Sequence, residues 1–334
     1  MLPPQRPALP AVTTSLDLHR TGRRSMPDGV LLTRVAAHAQ GLSPVRRGVF
    51  VADDDWMSAF PEERTRAAAA AYQIAARGAP VVYSHESAAA LWGLPLFRHR
   101  TDRVHVTLTQ HGAASTPGVF RHRDRLRDDE IVWIDGRSVG VTSLARTVFD
   151  LARMRSPETA TAAADAALRR VGSIPGTRLI DDEPVHRLRD ELLGLAGRSP
   201  GARGIVQARE VAAFADPRAE YPGESVSRLY LSWLGFASPD LQFPVPSPHG
   251  GSYEVDFAFP GWLGEFDGDG KYLDAGMRAG RTLEQVLLDE KRREDWIRGV
   301  TGLPIIRWQM RHLVSVDAFR RHLAAFGITP SRTR

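Results

Sequence analysis

Residues 253–271 read YEVDFAFPGWLGEFDGDGK. Apolar and aromatic side chains recur at every second position through Tyr253–Phe259, and a second apolar run spans Trp262–Phe266, the patterns expected of β-strands. Pro260-Gly261 between them is a two-residue turn, so the stretch predicts an antiparallel hairpin. Glu265 and Asp267 lie two apart and share one face of the second strand. The tight turn brings Asp256 of the first strand beside Glu265, so three carboxylates converge.

Three like charges packed together repel, and such a group ordinarily requires a cation. All-oxygen ligation selects a hard ion, Mg2+ or Mn2+, which activates water and neutralises charge on a scissile phosphate. Asp256, Glu265 and Asp267 are the expected ligands. Glu224, at the start of the preceding helix, is a further one. Lys271, four residues past Asp267, is the candidate activator of water, and Lys291 in the charged run LDEKRRED is a second cation. The alternative is that these carboxylates are only solvated or ion-paired.

Outward from the hairpin, SVSRLYLSWLGF reads as an amphipathic helix, followed by Pro-rich QFPVPSPHGG. Past the hairpin come a charged helix over 282–298, a strand over 304–308 and a closing helix over 316–326. Taken together, Glu224, Asp256-Phe257, Glu265-Phe-Asp267-Gly268, the run Glu290–Glu294 and Arg307-Trp308 resemble the PD-(D/E)xK nuclease superfamily, in the branch akin to very-short-patch repair endonucleases. The resemblance covers about residues 220–326, one third of the chain. It implies a restriction-endonuclease-like mixed sheet flanked by helices, and metal-dependent hydrolysis of DNA by in-line attack. The superfamily signature has Lys two residues after the Glu; here that position is Asp267, as is common in this branch. The lysine role is thereby left to Lys271, to Lys291, or to a metal alone. Arg307 is either an ion-pair partner or a phosphate contact.

The first half reads differently. GVLLTRVAAHAQ (29–40) has helical spacing, a turn is expected at Gly41–Pro44 and a short strand at Gly48–Ala52, the pattern of a partial winged helix with Arg46 and Arg47 available to nucleic acid. An Ala-rich helix is expected over 61–78, a strand and helix over VVYSHESAAALWGLPL, and strands near 103–108, 118–122, 131–134 and 137–141. Helices are expected over SLARTVFDLARM and 157–170. The segments GVLLTRVAAHAQGLSPVRRGVFVA, SHESAAALWGLPL, VHVT, GVTSLARTVFDLAR and AADAALRR resemble the AbiEi antitoxin family. That resemblance implies a winged helix joined to an α/β domain that neutralises a nucleotidyltransferase-type toxin. Ser84, His85 and Ser87 near Asp150 do not read as a hydrolase triad, because no oxyanion-type glycine motif accompanies them. Ser84 reads as a helix cap, His85 as a packed or capping residue, and Arg146 with Asp150 as an i,i+4 pair.

The whole chain is predicted as α/β, α+β overall. A disordered tail (1–27) leads to a partial winged helix (28–55), an AbiEi-like α/β domain (56–171), a linker and helical segment (172–219) and a nuclease-like domain (220–328). Its 334 residues are 43% hydrophobic and 25% charged, which excludes a mainly disordered or fibrous chain. With no cysteine, disulfides, thiolate catalysis and cysteine-ligated metals are excluded. No apolar run reaches the roughly 18 residues of a membrane span, and neither a signal peptide nor membrane attachment is expected, so the expected location is cytoplasmic. The net charge of +5 is compatible with a nucleic-acid partner. Two functions follow: a Mg2+- or Mn2+-dependent DNA endonuclease, or an AbiEi-type regulator on an inert nuclease fold.

Overall fold

Pro260-Gly261 makes the turn its residues favour: Gly261 has φ of 98°, open to glycine, after a proline whose ring presets the first turn position. Phe259 pairs with Trp262, Ala258 with Leu263 and Phe257 with Gly264 across the hairpin. In the computed structural model, the described residues are 12, 14–20, 37, 39–76, 80–98, 103–108, 114–135, 139–268 and 282–330. They form two compact units, residues 1–215 and 216–334.

The C-terminal unit begins with α8 (Pro222–Trp233). Three strands follow, β9 (Asp240–Pro246), β10 (Ser252–Phe259) and β11 (Trp262–Asp267), then α9 (Leu283–Thr301), β12 (Ile305–Gln309) and α10 (Val316–Ala325). The sheet order is β12-β11-β10-β9: an antiparallel meander, with β12 added parallel to β11. The Pro-rich stretch is itself the strand β9. Leu241, Phe243 and Val245 alternate along it, and its prolines are tolerated because it is an edge strand. Val245, Val255, Leu263, Ile297 and Ile305 form a dry core. Thr282 and Gln285 make a capping box at the start of α9, and Gly302 ends it with φ of 68°.

The N-terminal unit has two sheets. In the small one, β1 (His19–Arg20), β2 (Leu42–Arg46) and β3 (Val49–Ala52) lie in the order β1-β3-β2. The expected turn at Gly41–Pro44 is instead the start of β2, because Leu42 is drawn into a small core with Ala37 and Phe50. Ala37 and Ala39 are helical, and the rest of the helix expected over 29–40 lies outside the described residues. The tail expected to be disordered is partly tied down. His19 and Arg20 pair with Phe50 and Val49, while Thr14 Oγ1 and Ser15 N donate to Glu63 Oε1. An unpaired strand edge and a buried carboxylate capture its polar groups.

The larger sheet contains β4 (Val81–Tyr83), β5 (Val104–Leu108), β6 (Val119–Arg123), β7 (Ile131–Asp135) and β8 (Val139–Thr142), in the order β6-β5-β4-β8-β7. Around it in sequence are α1 (Asp53–Ser58), α2 (Pro61–Ala76), α3 (His85–Trp92), α4 (Leu144–Met154) and α5 (Pro157–Gly172). Ser143 and Ser156 cap α4 and α5 through their hydroxyls. Residues 172–219 are not a linker between domains. They supply α6 (Asp182–Arg198) and α7 (Ile205–Phe214), whose Leu188, Leu192, Leu195 and Val211 belong to the same core as Val106, Val141 and Phe149. Helical periodicity was visible there, but not which core it serves. The chain is therefore α/β, with mixed sheets in both units.

Candidate functional site

The hairpin holds Asp256 where the sequence expects it. Asp256 is half-buried on β10, and its Oδ2 accepts the backbone N–H of Phe266 at 2.7 Å. That bond ties its carboxylate to the strand segment that carries Glu265 and Asp267. Glu265 is buried on β11, with Arg307 of β12 as its register partner. Glu224, buried in the first turn of α8, accepts from Glu220 N at 2.9 Å and from Gln242 Nε2 at 3.2 Å through one oxygen.

The charges around Glu265 come from elsewhere in the unit. Its Oε1 accepts from Arg293 Nη2 of α9 at 2.8 Å, and its Oε2 lies 2.7 Å from Arg307 Nη2. Arg293 also donates to the Glu254 carbonyl at 2.7 Å. Arg307 reaches Glu290 at 2.6 Å, Glu294 at 3.4 Å and Asp267 at 3.6 Å. Burial tends to lower the pKa of both guanidiniums. Glu265 and the neighbouring carboxylates more than offset that and raise both. The centre is thus an ion-pair network of Glu265, Asp267, Glu290 and Glu294 with Arg293 and Arg307.

This arrangement corrects the expected metal centre. Both oxygens of Glu265 are held by guanidiniums, and among the described residues no three Asp, Glu, His or Cys side chains group so as to hold a metal ion. Glu224, Asp256, Glu265 and Asp267 as placed do not fit Mg2+ or Mn2+. The physical reason is that two partly buried arginines already supply the positive charge that packed carboxylates demand.

The remaining expected residues fall as follows. Lys271 lies outside the described residues. Lys291 is exposed on α9. Arg307 is an ion-pair partner. Arg47 is exposed in the turn between β2 and β3, whereas Arg46 lies over the Tyr72 ring at 4.6 Å. Arg293, Glu290 and Glu294, all in the charged run, are the functional residues that the sequence reading leaves without a role. Their signal was present: 290, 293, 294 and the fully buried Ile297 fall at i, i+3, i+4 and i+7, one face of a helix.

No family model matches the chain. It is similar to two proteins of Mycobacterium tuberculosis, one from strain CDC 1551 / Oshkosh and one from strain ATCC 25618 / H37Rv, each described as uncharacterized. Each is 36% identical over 119 residues, which is 36% of this chain and 39% of the relative. The chain thus matches well under half the length of these relatives. Among the described residues no helix is long and apolar enough to cross a membrane.

Proposed function

We propose that the C-terminal unit cleaves the phosphodiester backbone of DNA as an endonuclease of the PD-(D/E)xK type, carried on an AbiEi-like N-terminal unit. The observation that carries this reading is the tie of Asp256 to the Glu265 strand, through the Phe266 amide, within a helix–meander–helix–strand order. In-line hydrolysis needs a base near the attacking water and positive charge at the non-bridging oxygens. Asp256 and Asp267, both half-buried, are suited to the first role. Arg293 and Arg307 are suited to the second, provided a phosphate competes with Glu265 for them.

A second reading is favoured by the same ion pairs. With Glu265 saturated by two arginines, the unit is a non-catalytic nuclease-like fold serving an AbiEi-type regulator, with DNA or a nucleotidyltransferase-type toxin as partner.

Plasmid DNA incubated with the full chain under Mg2+, Mn2+ and EDTA separates the two readings. Cleavage that is lost in Asp256→Asn is the result expected of the endonuclease, and its persistence in EDTA is what a site whose positive charge comes from Arg293 and Arg307 should show. Absence of cleavage under every ion, from folded protein, overturns it in favour of the second reading. Asp256 is the residue to change, because truncating Glu265 takes away the carboxylate that two partly buried guanidiniums share and confounds activity with stability.

A further inference from the structure

The N-terminal unit contains a second polar cluster, independent of the nuclease reading. β5 and β6 run in parallel register, with His105 beside Phe120 and Thr107 beside His122. His105 Nδ1 lies 2.9 Å from His122 Nε2. His122 stacks on His85, ring centroids 3.5 Å apart and planes within 9°. His85 opens α3 with φ of 50°, a left-handed conformation a side chain rarely adopts and which clusters at functional sites. Its Nδ1 is 3.1 Å from Ser84 Oγ and 4.0 Å from Asp150 Oδ2. The Ser84 hydroxyl makes no cap bond, so the expected capping role is replaced by this contact.

His105 and His122 line a cavity of about 440 Å3. At its wall stands Glu86, 2% exposed. One oxygen of Glu86 pairs with Arg155; the other, Oε2, has no hydrogen-bond donor, with His105 Nδ1 3.5 Å away. A buried carboxylate oxygen without a donor asks for one. Phe97 and Phe120 supply apolar walls suited to a planar ring. Arg98 and Arg103, both exposed, join Arg155 on the lining. Among the described lining residues Glu86 is the one carboxylate beside three arginines, donors of the kind that bind phosphate.

We propose that this cavity binds a 5′-nucleotide, with an amine of the base donating to Glu86, the ring against Phe97 and Phe120, and the phosphate on Arg98 and Arg103. Nucleotides join a donor-bearing planar ring to a phosphate within a length that a cavity of this size accepts. The source is a free mononucleotide or the 5′-phosphorylated end of a strand.

Calorimetric titration of the full chain, in EDTA, tests it with AMP, GMP, CMP, UMP, ribose 5-phosphate, inorganic phosphate and oligonucleotides with and without a 5′-phosphate. The nucleotides with an exocyclic amine should bind, and UMP about tenfold more weakly, because its carbonyls face the carboxylate. Glu86→Gln should abolish that preference. Arg103→Ala, at an exposed side chain, should weaken every nucleotide about tenfold. Binding of the phosphorylated oligonucleotide alone identifies a strand end as the ligand, and binding of the mononucleotides identifies the free form; both support the site. Binding of phosphate as tight as that of nucleotides, no binding of any probe, or affinity unchanged in Arg103→Ala overturns it.

Discussion

Glu265 and Asp150 are both carboxylates buried in a protein interior, and the chain meets that cost in different ways. Glu265 is neutralised by two guanidiniums at hydrogen-bond distance. Asp150 has Arg146 Nε at 3.0 Å, yet burial dominates and holds its carboxyl up at about 7. Around it, burial with His122 and His105 nearby drives His85 well down, and burial followed by His105 takes His122 to about 3. The signs oppose. A raised carboxyl stabilises the fold at low pH and loses that contribution as pH rises through about 7. A depressed histidine contributes above about 6.5 and loses that contribution as pH falls. Between about pH 4.5 and 6, unfolding takes up a proton at His122 and releases one at Asp150, which nearly cancel, and the depressed His85 adds stability with rising pH. Asp150→Asn removes the opposing member, and its slope should exceed the parent's by about 1.4 kcal/mol per pH unit. Urea unfolding across that window measures it; parallel slopes would show that Asp150 is ionised in the folded state.

At the scale of elements, the C-terminal sheet depends on close approaches that only glycine permits. A Cβ on Gly264 would lie 2.4 Å from Trp308 Cη2, and one on Gly223 would lie 2.0 Å from Phe266 Cζ. Trp308 cannot move aside, being fully buried and donating to Ser227 Oγ at 2.7 Å. Gly264→Ala should therefore cost about 3 kcal/mol, the upper range for overpacking, read as a lowered urea midpoint. A cost near zero would mean that β12 slides on β11 more easily than this packing allows. The hairpin and α9 were legible because turn chemistry and periodicity are local. β9 is not legible as a strand, because its prolines outweigh the alternation of Leu241, Phe243 and Val245. The turn expected at Gly41–Pro44 failed for the converse reason: Pro44 suggested a turn, while pairing with Phe50 makes it part of a strand.

For the molecule as a whole, the two units have separate cores. The C-terminal unit carries its own dry cluster, aromatic packing of Phe257 with Trp308, and the stacked Phe259–Trp262 pair. A chain beginning at Asp216 should fold alone and unfold in one cooperative transition with near-ultraviolet dichroism from its tryptophans. A spectrum without tertiary signal would mean that residues before 216 complete its core. Helices α6 and α7, expected between domains, belong to the first unit, so a cut made at 172 should leave the first product poorly folded and the second with an unpacked α6–α7 extension on a folded C-terminal unit.

By itself the sequence determined the period-two strands, the Pro-Gly turn, the capped helices and the absence of cysteine chemistry, since each depends on neighbours a few residues apart. It also placed Asp256 by the strand bearing Glu265 and Asp267, because hairpin register follows from turn length. What only the tertiary structure decided is how those charges are met. Arg293 reaches Glu265 from 28 residues away, and Arg307 arrives with a strand that joins the sheet after α9. The histidine-backed cavity likewise needs α3, β5 and β6 to meet. A charge's partner is set by packing in space, and residue spacing along the chain does not encode it.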